Sequence, residues 1–172
     1  VFKTNELTPI TLDKILCFGE LCSAFILTYC FPENECVEFL DAREVIVTDD
    51  SYGSASVLMN KTKKCVHNYF EEHNTLQIIT GFIGAAENGK TTTLGRGGSD
   101  FTASILGAIL KVSKIEIWTD VDGVMTADPQ KVESALTLKK MSYEEAMEMS
   151  HFGAKVIYPP TIQPAVENEI PI

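Results

Sequence analysis

The sequence predicts an α/β fold in which helices cover a mostly parallel sheet. Short runs rich in β-branched residues alternate along the chain with segments whose apolar residues recur at helical spacing. Several of these runs are apolar on both faces, which is typical of buried parallel strands. With 172 residues, 45% of them apolar, the chain is long enough for one domain with a sizeable core, and no internal repeat divides it.

The first part of the chain contains two predicted helices on either side of two predicted strands. Apolar residues at helical spacing predict a helix over 11–31, with an interruption at Gly19-Glu20. Strands are predicted at 36–40 and 45–48, where apolar and β-branched residues are concentrated before a turn-rich loop. The segment 56–72 is predicted to form the second helix.

The middle of the chain contains three predicted strands and a long helix. The apolar, β-branched run 76–80 reads as a strand, and the threonine-rich run 91–94 is predicted to be extended. The following helix is predicted over 99–111, and another strand over 114–118. In sheets of this class, ligands bind at loops beyond the carboxyl ends of strands. The loops after Thr80 and Trp118 are therefore the expected ligand sites.

The last part of the chain is predicted to be helical, with a strand at its end. Ser142-Tyr143-Glu144-Glu145 has the form of a capping box, which predicts a helix to about Ser150. Prolines at 159, 160 and 164 mark a short last helix. Residues 168–172 read as a turn followed by the beginning of a strand.

One segment matches a nucleotide-binding motif literally. Residues 84–91 fit G-x-x-x-x-G-K-[ST], the phosphate-binding P-loop pattern, and follow a predicted strand. A P-loop runs directly into a helix whose N-terminus holds the phosphates. Here the eight residues after Lys90 contain three threonines, a leucine and three glycines, which is poor helix material. We therefore interpret 87–90 as the tip of a hairpin.

Charge and cysteine content exclude several classes of protein. The net charge of −10 argues against a nucleic-acid partner, since phosphate backbones require a concentrated basic face. No apolar run is long enough to span a membrane, and the N-terminus lacks the features of a signal peptide. The five cysteines form no C-x-x-C pair, and the three histidines lack metal-ligand spacing, so no disulfide framework or metal site is predicted. Buried, reduced cysteines and a cytoplasmic location are expected.

The glycine-rich run 91–100 is the first candidate binding segment. Its three glycines would let the backbone approach a ligand closely, and the start of the following helix favours an anion. Arg96 adds a planar guanidinium suited to a carboxylate or phosphate. The alternative is an ordinary tight turn in which Ser99 or Asp100 serves only as the helix N-cap.

Three further positions carry side chains suited to ligands, each with an ordinary alternative. The carboxylates of Asp120 and Asp122 would hold a nucleotide ribose or magnesium, or else belong to polar turns. Lys155 would contact phosphate, or else be a solvated lysine. Glu20 would bind a cation, or else lie at a partly exposed helix end.

Taken together, these motifs resemble the aspartate kinases of the amino-acid kinase family, over nearly the whole chain. The order of the motifs makes the resemblance specific, although each one alone would be weak. They are Gly81-Phe82-Ile83-Gly84 and the runs 91–100, 118–129 and 152–159, with Gly19-Glu20 and Asp41-Ala42-Arg43 also fitting. The resemblance implies a three-layer αβα sandwich of the amino-acid kinase (carbamate kinase-like) type.

The resemblance also implies a function and site residues. It implies that ATP with Mg²⁺ phosphorylates the side-chain carboxylate of L-aspartate, the first step of lysine, threonine and methionine synthesis, with Arg96, Asp100 and Lys155 taking part in catalysis. Arg96 would grip a carboxylate of aspartate and Glu20 its ammonium. The other implied substrate residues are Phe82, Ser99 and Asp100, and the residues implied to face ATP are Thr119, Asp120, Asp122, Gly123 and Lys155.

The sequence also departs from the family pattern. Aspartate kinases usually begin with a Lys-Phe-Gly-Gly-Thr-Ser segment whose lysine contacts the phosphates, and this chain does not contain it. Met125, Gln130 and Phe101 stand where tyrosine, arginine and tyrosine are common. Residues 1–172 are thus expected to be a partial catalytic domain that stops before a regulatory region and has little activity alone. The full-length protein is expected to be a homo-oligomer. The alternatives are a silent fragment that binds nucleotide or partner subunits and a kinase for another small anion.

Overall fold

The computed structural model describes residues 7–120, 123–128, 130–151 and 158–172. Within these ranges there are five α-helices and five strands, and they follow the predicted alternation as far as α3. The helices are α1 (Pro9–Cys30), α2 (Met59–Glu72), α3 (Gly98–Leu110), α4 (Tyr143–His151) and α5 (Pro159–Glu167). The strands are β1 (Val37–Leu40), β2 (Val47–Thr48), β3 (Leu76–Ile79), β4 (Ile83–Ala86) and β5 (Thr91–Thr93).

The strands pair mostly in parallel. β1 pairs with β3 and β2 with β4, both in parallel, while β4 and β5 form an antiparallel hairpin. Helices pack against these strands in a three-layer α/β arrangement, as the sequence predicts. The main core joins sheet and helices through fully buried side chains: Leu40, Ile46, Val66, Ile83 and Ile105.

Helix α1 is continuous through Gly19 and Glu20, so the predicted interruption is wrong. Thr8 caps its first turn by accepting a hydrogen bond from the Thr11 amide (3.3 Å), and Pro9 occupies the first helical position. A glycine inside a helix costs only about 1 kcal/mol relative to alanine. Packing of α1 against β1, β3 and β5 offsets that cost.

The hairpin between β4 and β5 excludes the P-loop interpretation. The Ala86 amide donates to the Lys90 carbonyl (2.9 Å), and Gly89 has a positive φ of 75° at the turn. Lys90 is followed by β5, whose three threonines are all buried, and not by a helix. The prediction of a hairpin tip at 87–90 is confirmed.

The predicted strand over 114–118 is wrong, and residues 168–172 form a turn and an irregular end. The Ile115 amide donates to the Pro171 carbonyl (2.8 Å), so the two segments do lie side by side. One backbone hydrogen bond does not make a ladder, and Pro171 has no amide hydrogen with which to donate a second one. Trp118, at the end of the predicted strand, is 89% exposed.

The capping box predicted before α4 is present. The Ser142 amide donates to Glu145 Oε2 (2.7 Å), and the Glu145 amide donates to Ser142 Oγ (3.2 Å). Of the helices in the described ranges, none combines the length and apolarity that crossing a membrane would require.

All five cysteines are free in the structure, and of these only Cys17 is buried. Cys65 is half-buried, and the remaining three, Cys22, Cys30 and Cys36, are exposed on α1 and the loop after it. The expectation that cysteines would be buried is therefore wrong for most of them. Amino-acid composition does not predict whether a given cysteine is buried. On a helix, burial depends on which face the residue occupies.

Candidate active site

A cavity of about 380 Å³ lies between α1, β3 and the start of α3. Helix α1 contributes one lining residue and the other two elements, with the loop after β3, supply the rest. The lining residues are Glu20, Gln77, Ile79, Gly81, Ser99, Thr102, Ala103 and Leu106. Glu20 and Ser99 come from the predicted site. The loop after Thr80 thus borders a cavity large enough for a small ligand, at the position that the sheet topology predicts.

Glu20 is half-buried in the middle of α1 and lines the cavity. The alternative that it lies at an exposed helix end is therefore wrong. Burial raises the pKa of the Glu20 carboxyl, and the backbone of Gly81 partly opposes that shift. Among the residues that the structure describes, no cation forms an ion pair with Glu20, and a partly desolvated carboxylate of this kind is suited to an incoming ammonium group.

Gly81 allows the loop after β3 to touch the start of α3. A Cβ atom at Gly81 would lie 2.9 Å from both Cβ and Oγ of Ser99, closer than two such atoms can pack. The contact holds the backbone of Gly81 beside Ser99 at the edge of the cavity. Any other residue at this position would push the two walls apart.

Phe82 adopts a left-handed backbone conformation, with φ of 68°, which is strained for a non-glycine residue. Its amide donates to Thr102 Oγ1 (3.1 Å), and its carbonyl accepts from the Leu94 amide (2.8 Å). Its ring lies over Gly98 and packs on the main core. Phe82 is thus next to the cavity but is not among its lining residues, so its predicted role as a wall remains a prediction.

Arg96 lies in the loop that leads into α3. Its guanidinium carbon is 5.3 Å from the centroid of the Tyr158 ring, a cation–π contact, and its side chain is exposed. The flanking glycines, Gly95 and Gly97, both have positive φ, as this loop requires.

The N-cap of α3 is Gly97, which supplies no side-chain acceptor. The alternative in which Ser99 or Asp100 serves only as the N-cap is therefore wrong. The first amides of α3 lack a side-chain cap, which favours an anion at this end of the helix. Asp100 lies in the first turn, where burial raises the pKa of its carboxyl.

Of the residues expected to face ATP, the structure describes Thr119, Asp120 and Gly123. Thr119 and Asp120 are exposed, and the Thr119 hydroxyl donates to Asp120 Oδ1 (3.2 Å). Gly123 has a positive φ of 94°, close to an antiparallel bridge between Met125 and Thr137. Asp122 and Lys155 lie outside the described residues. Within the described ranges, no cluster of three His, Cys, Asp or Glu side chains suited to a metal ion occurs.

Sequence reasoning missed two polar residues of the cavity, Thr102 and Gln77. Thr102 is 3% exposed, and its hydroxyl donates to the Gly98 carbonyl (2.9 Å) while accepting from Phe82. Its position four residues after Gly98 places both on one face of α3, and this was the available signal. Nothing in the sequence pattern marks Gln77, because the partners of its amide come from α2, β1 and Thr75.

A third residue that sequence reasoning missed is Asp13, a fully buried carboxylate on α1. It accepts hydrogen bonds from the Thr93 hydroxyl (2.8 Å), the Thr93 amide (3.2 Å) and the Gly53 amide (2.9 Å). A single acid among the apolar residues at the start of α1 was the signal, since a buried carboxylate needs partners.

Comparison with known proteins identifies relatives over the whole chain. The family model described as "Amino acid kinase family" matches residues 3–172. A chloroplastic bifunctional aspartokinase/homoserine dehydrogenase from Daucus carota is 42% identical over 177 residues, covering 100% of this chain and 19% of that protein. Lysine-sensitive aspartokinase 3 from Escherichia coli K12 is 38% identical over 168 residues, covering 96% of this chain and 37% of that protein.

Solved structures that are similar to this chain also include aspartokinases. E. coli aspartokinase III in complex with aspartate and ADP, in its R-state, superposes with a TM-score of 0.89 at 36% identity, covering 96% of this chain and 38% of that one. The T-state complex of the same enzyme with lysine and aspartate gives a TM-score of 0.85. The chain thus spans 19% to 38% of the length of these relatives.

Proposed function

Because this chain belongs to the amino acid kinase family, we propose that the protein containing it transfers the γ-phosphoryl group of ATP to the side-chain carboxylate of L-aspartate. The product is 4-aspartyl phosphate, which opens the synthesis of lysine, threonine and methionine. The proposal concerns the whole protein, since these 172 residues match only part of the length of their relatives. Similarity to an aspartokinase crystallised with aspartate and ADP supports both substrates.

The observation that carries the proposal is the cavity between Glu20 and the start of α3. One wall carries the partly desolvated Glu20 carboxylate, and the facing wall is the side of α3 that carries Ser99 and Thr102, near the amino end of that helix. Arg96 is not among the lining residues. Arg96 lies one residue before the Gly97 N-cap. A small amino acid with an ammonium and two carboxylates fits this charge pattern: its ammonium meets Glu20, and a carboxylate meets Arg96 and the helix amides.

The chemistry needs little from acid–base groups. The side chain of aspartate is ionised near neutral pH, so the attacking oxygen requires no general base. The main barrier is the approach of two anions, which cationic donors and positioning reduce. In this chain, the positive charge that would reduce the repulsion between the two anions comes from Arg96 and from the uncapped amino end of α3. Asp100, partly buried in the first turn, is proposed to line the same site.

Nucleotide binding is proposed for the segment that follows Ile117. Thr119, Asp120, Asp122 and Gly123 would hold the nucleoside, and Lys155 would contact phosphate. The exposed Asp120 carboxylate suits ribose hydroxyls, and the positive φ of Gly123 permits a close backbone approach. Mg²⁺ commonly binds through substrate phosphates and one or two carboxylates, so it requires no preassembled cluster in the chain.

The experiment uses the full-length protein and measures ADP release with aspartate, glutamate and a nucleoside monophosphate. Aspartate is expected to be the preferred acceptor. Arg96→Ala should reduce kcat/KM for aspartate by about 100-fold or more, since it removes a charge-assisted contact to an anion, whereas Arg96→Lys should recover only part of it. Lys61→Ala is the matched control, because it removes one positive charge from a surface pair with Glu87. Preference for another acceptor, or an Arg96→Ala enzyme as active as the control, would refute the proposal.

Two further expectations rest on the same assignment. The protein is proposed to act in the cytoplasm and to form a homo-oligomer in its full length. The relatives include chloroplastic enzymes as well as bacterial ones, so fractionation of the native cells tests the first. Light scattering of the full-length protein tests the second.

A further inference from the structure

We propose that Thr102 is a positioning residue for the amino-acid pocket: its hydroxyl fixes the turn at Gly81-Phe82 against the first turn of α3. This inference rests on the proposed function. Thr102 lines the cavity and is 3% exposed. Its hydroxyl accepts from the Phe82 amide (3.1 Å) and donates to the Gly98 carbonyl (2.9 Å). One donor and one acceptor of the hydroxyl are thus engaged within the protein, so Thr102 acts through its neighbours.

Phe82 requires such an anchor because its backbone is strained. A phenylalanine with φ of 68° persists only where surrounding contacts determine its conformation. The contacts on Phe82 are the Thr102 hydroxyl on its amide, the Leu94 amide on its carbonyl and Gly98 beneath its ring. Of these, only the Thr102 bond is made by a side chain from α3.

The conformation of Phe82 sets the position of the cavity edge. The residue before it, Gly81, is packed against Ser99 and lines the cavity together with Glu20. A rotation of the Phe82 amide would therefore move Gly81 relative to both walls. The distance between Glu20 and Ser99 would determine how well an amino acid fits between the two walls.

We therefore expect the hydrogen bond between the Phe82 amide and the Thr102 hydroxyl to affect the binding of the amino acid more than the phosphoryl-transfer step. Glu20 and Ser99 would contact the amino acid alike in the ground state and the transition state, and loss of such contacts raises KM while kcat changes little. The nucleotide segment shares no hydrogen bond with Thr102 in the described ranges. The KM for ATP should therefore not change.

The experiment compares variants of the full-length enzyme. Thr102→Val keeps the shape of the side chain but loses both hydrogen bonds, and it should raise the KM for aspartate about tenfold while kcat stays within about threefold. Thr102→Ser keeps the hydroxyl and should restore the KM to within about twofold of wild type. Should the valine variant not fold, Thr102→Ala takes its place.

Thr62 provides the matched control. It is also a buried helical threonine whose hydroxyl makes two backbone hydrogen bonds, accepting from the Val47 amide (3.0 Å) and donating to the Val47 carbonyl (3.2 Å). Thr62 is not among the cavity residues. Thr62→Val should lower the melting temperature to a similar degree while leaving the KM for aspartate unchanged.

Two kinetic results would overturn the proposal: a Thr102→Val enzyme with the KM of wild type, or a Thr62→Val enzyme with an equal rise in KM.

Amide hydrogen exchange at Phe82 supplies a readout that does not depend on the substrate. It should accelerate in Thr102→Val and not in Thr62→Val. If the wild-type enzyme prefers a different acceptor, the proposed function fails, and the KM comparison is made with that acceptor. Unchanged exchange at Phe82 would then refute the role of Thr102 separately.

Discussion

Gly98 and Gly19 show how the surroundings of a residue decide the effect of the same substitution. A Cβ atom at Gly98 would lie 2.7 Å from Phe82 Cδ2 and 3.1 Å from its Cα, whereas a Cβ atom at Gly19 would have nothing within 4 Å. Helix propensity favours alanine by about 1 kcal/mol in a helix interior, where Gly19 lies, and by no more than that at Gly98, the first residue of α3. Steric overlap outweighs that gain only at Gly98.

We therefore predict opposite signs for two alanine variants. Gly98→Ala should lower the free energy of unfolding by about 1–3 kcal/mol, because overpacking forces the Phe82 ring and its strained backbone to move. Gly19→Ala should raise it by up to about 1 kcal/mol. Urea denaturation of the two variants measures both. Equal effects would show that Phe82 does not lie over Gly98.

Glu20 gives a residue-scale prediction for pH. Burial raises the pKa of its carboxyl in the folded protein, so its ionised form destabilises the empty site. Its contribution is most favourable below the unfolded pKa and is lost as pH rises through the folded one. Glu20→Gln cannot ionise, so it should be more stable than wild type at pH 7, with a difference that shrinks on acidification.

The same Glu20→Gln variant should lose affinity for the amino acid. Replacing the charged partner of an ammonium with a neutral one should raise the KM for aspartate about tenfold or more. Melting curves between pH 4 and 8, with steady-state kinetics at pH 7, test both parts. Glu116→Gln, at a carboxylate paired on the surface with Lys114, is the control and should leave that KM unchanged.

At the scale of elements, Asp13 joins three parts of the fold. Its carboxylate connects α1 to β5 through Thr93 and to the loop at Gly53. Asp13→Ala should destabilise the protein by about 3 kcal/mol, because it leaves the amides of Thr93 and Gly53 without their acceptor. Urea denaturation measures this loss. Glu33→Ala, at an exposed acid beyond α1, should change stability by less than about 0.5 kcal/mol.

Elements also show why some sequence predictions were confirmed and others were wrong. The hairpin at 87–90 and the capping box at Ser142 follow from local chemistry, since a turn glycine and a reciprocal side-chain pair act within a few residues. The strand predicted over 114–118 depended on a distant partner. In the described residues that pairing amounts to one backbone hydrogen bond, from the Ile115 amide to the Pro171 carbonyl, which is not a ladder.

At the scale of the whole molecule, we predict that the 172 residues alone turn over slowly. They match 38% of the E. coli aspartokinase III chain that was crystallised with aspartate and ADP. Because phosphoryl transfer depends on holding two anions in line, an incomplete site should retain at most about a hundredth of the full-length kcat. ADP release by the two proteins, side by side, measures the ratio. Comparable rates would show that the 172 residues contain every group the reaction needs.

The sequence by itself determined the α/β class and the chemical types of the candidate site residues. Both predictions depend on features that can be read along the chain without knowing the fold. These features are the alternating periodicity, the glycines around Arg96 and the order of the motifs. Tertiary structure decided which groups lie together: Glu20 and Gly81 at one cavity, Gly81 against Ser99, and Phe82 on the Thr102 hydroxyl. These pairs come from elements 18 to 61 positions apart in the chain. Only the packing of α1, β3 and α3 brings them together, because the free energy of their contacts depends on the other contacts of the fold.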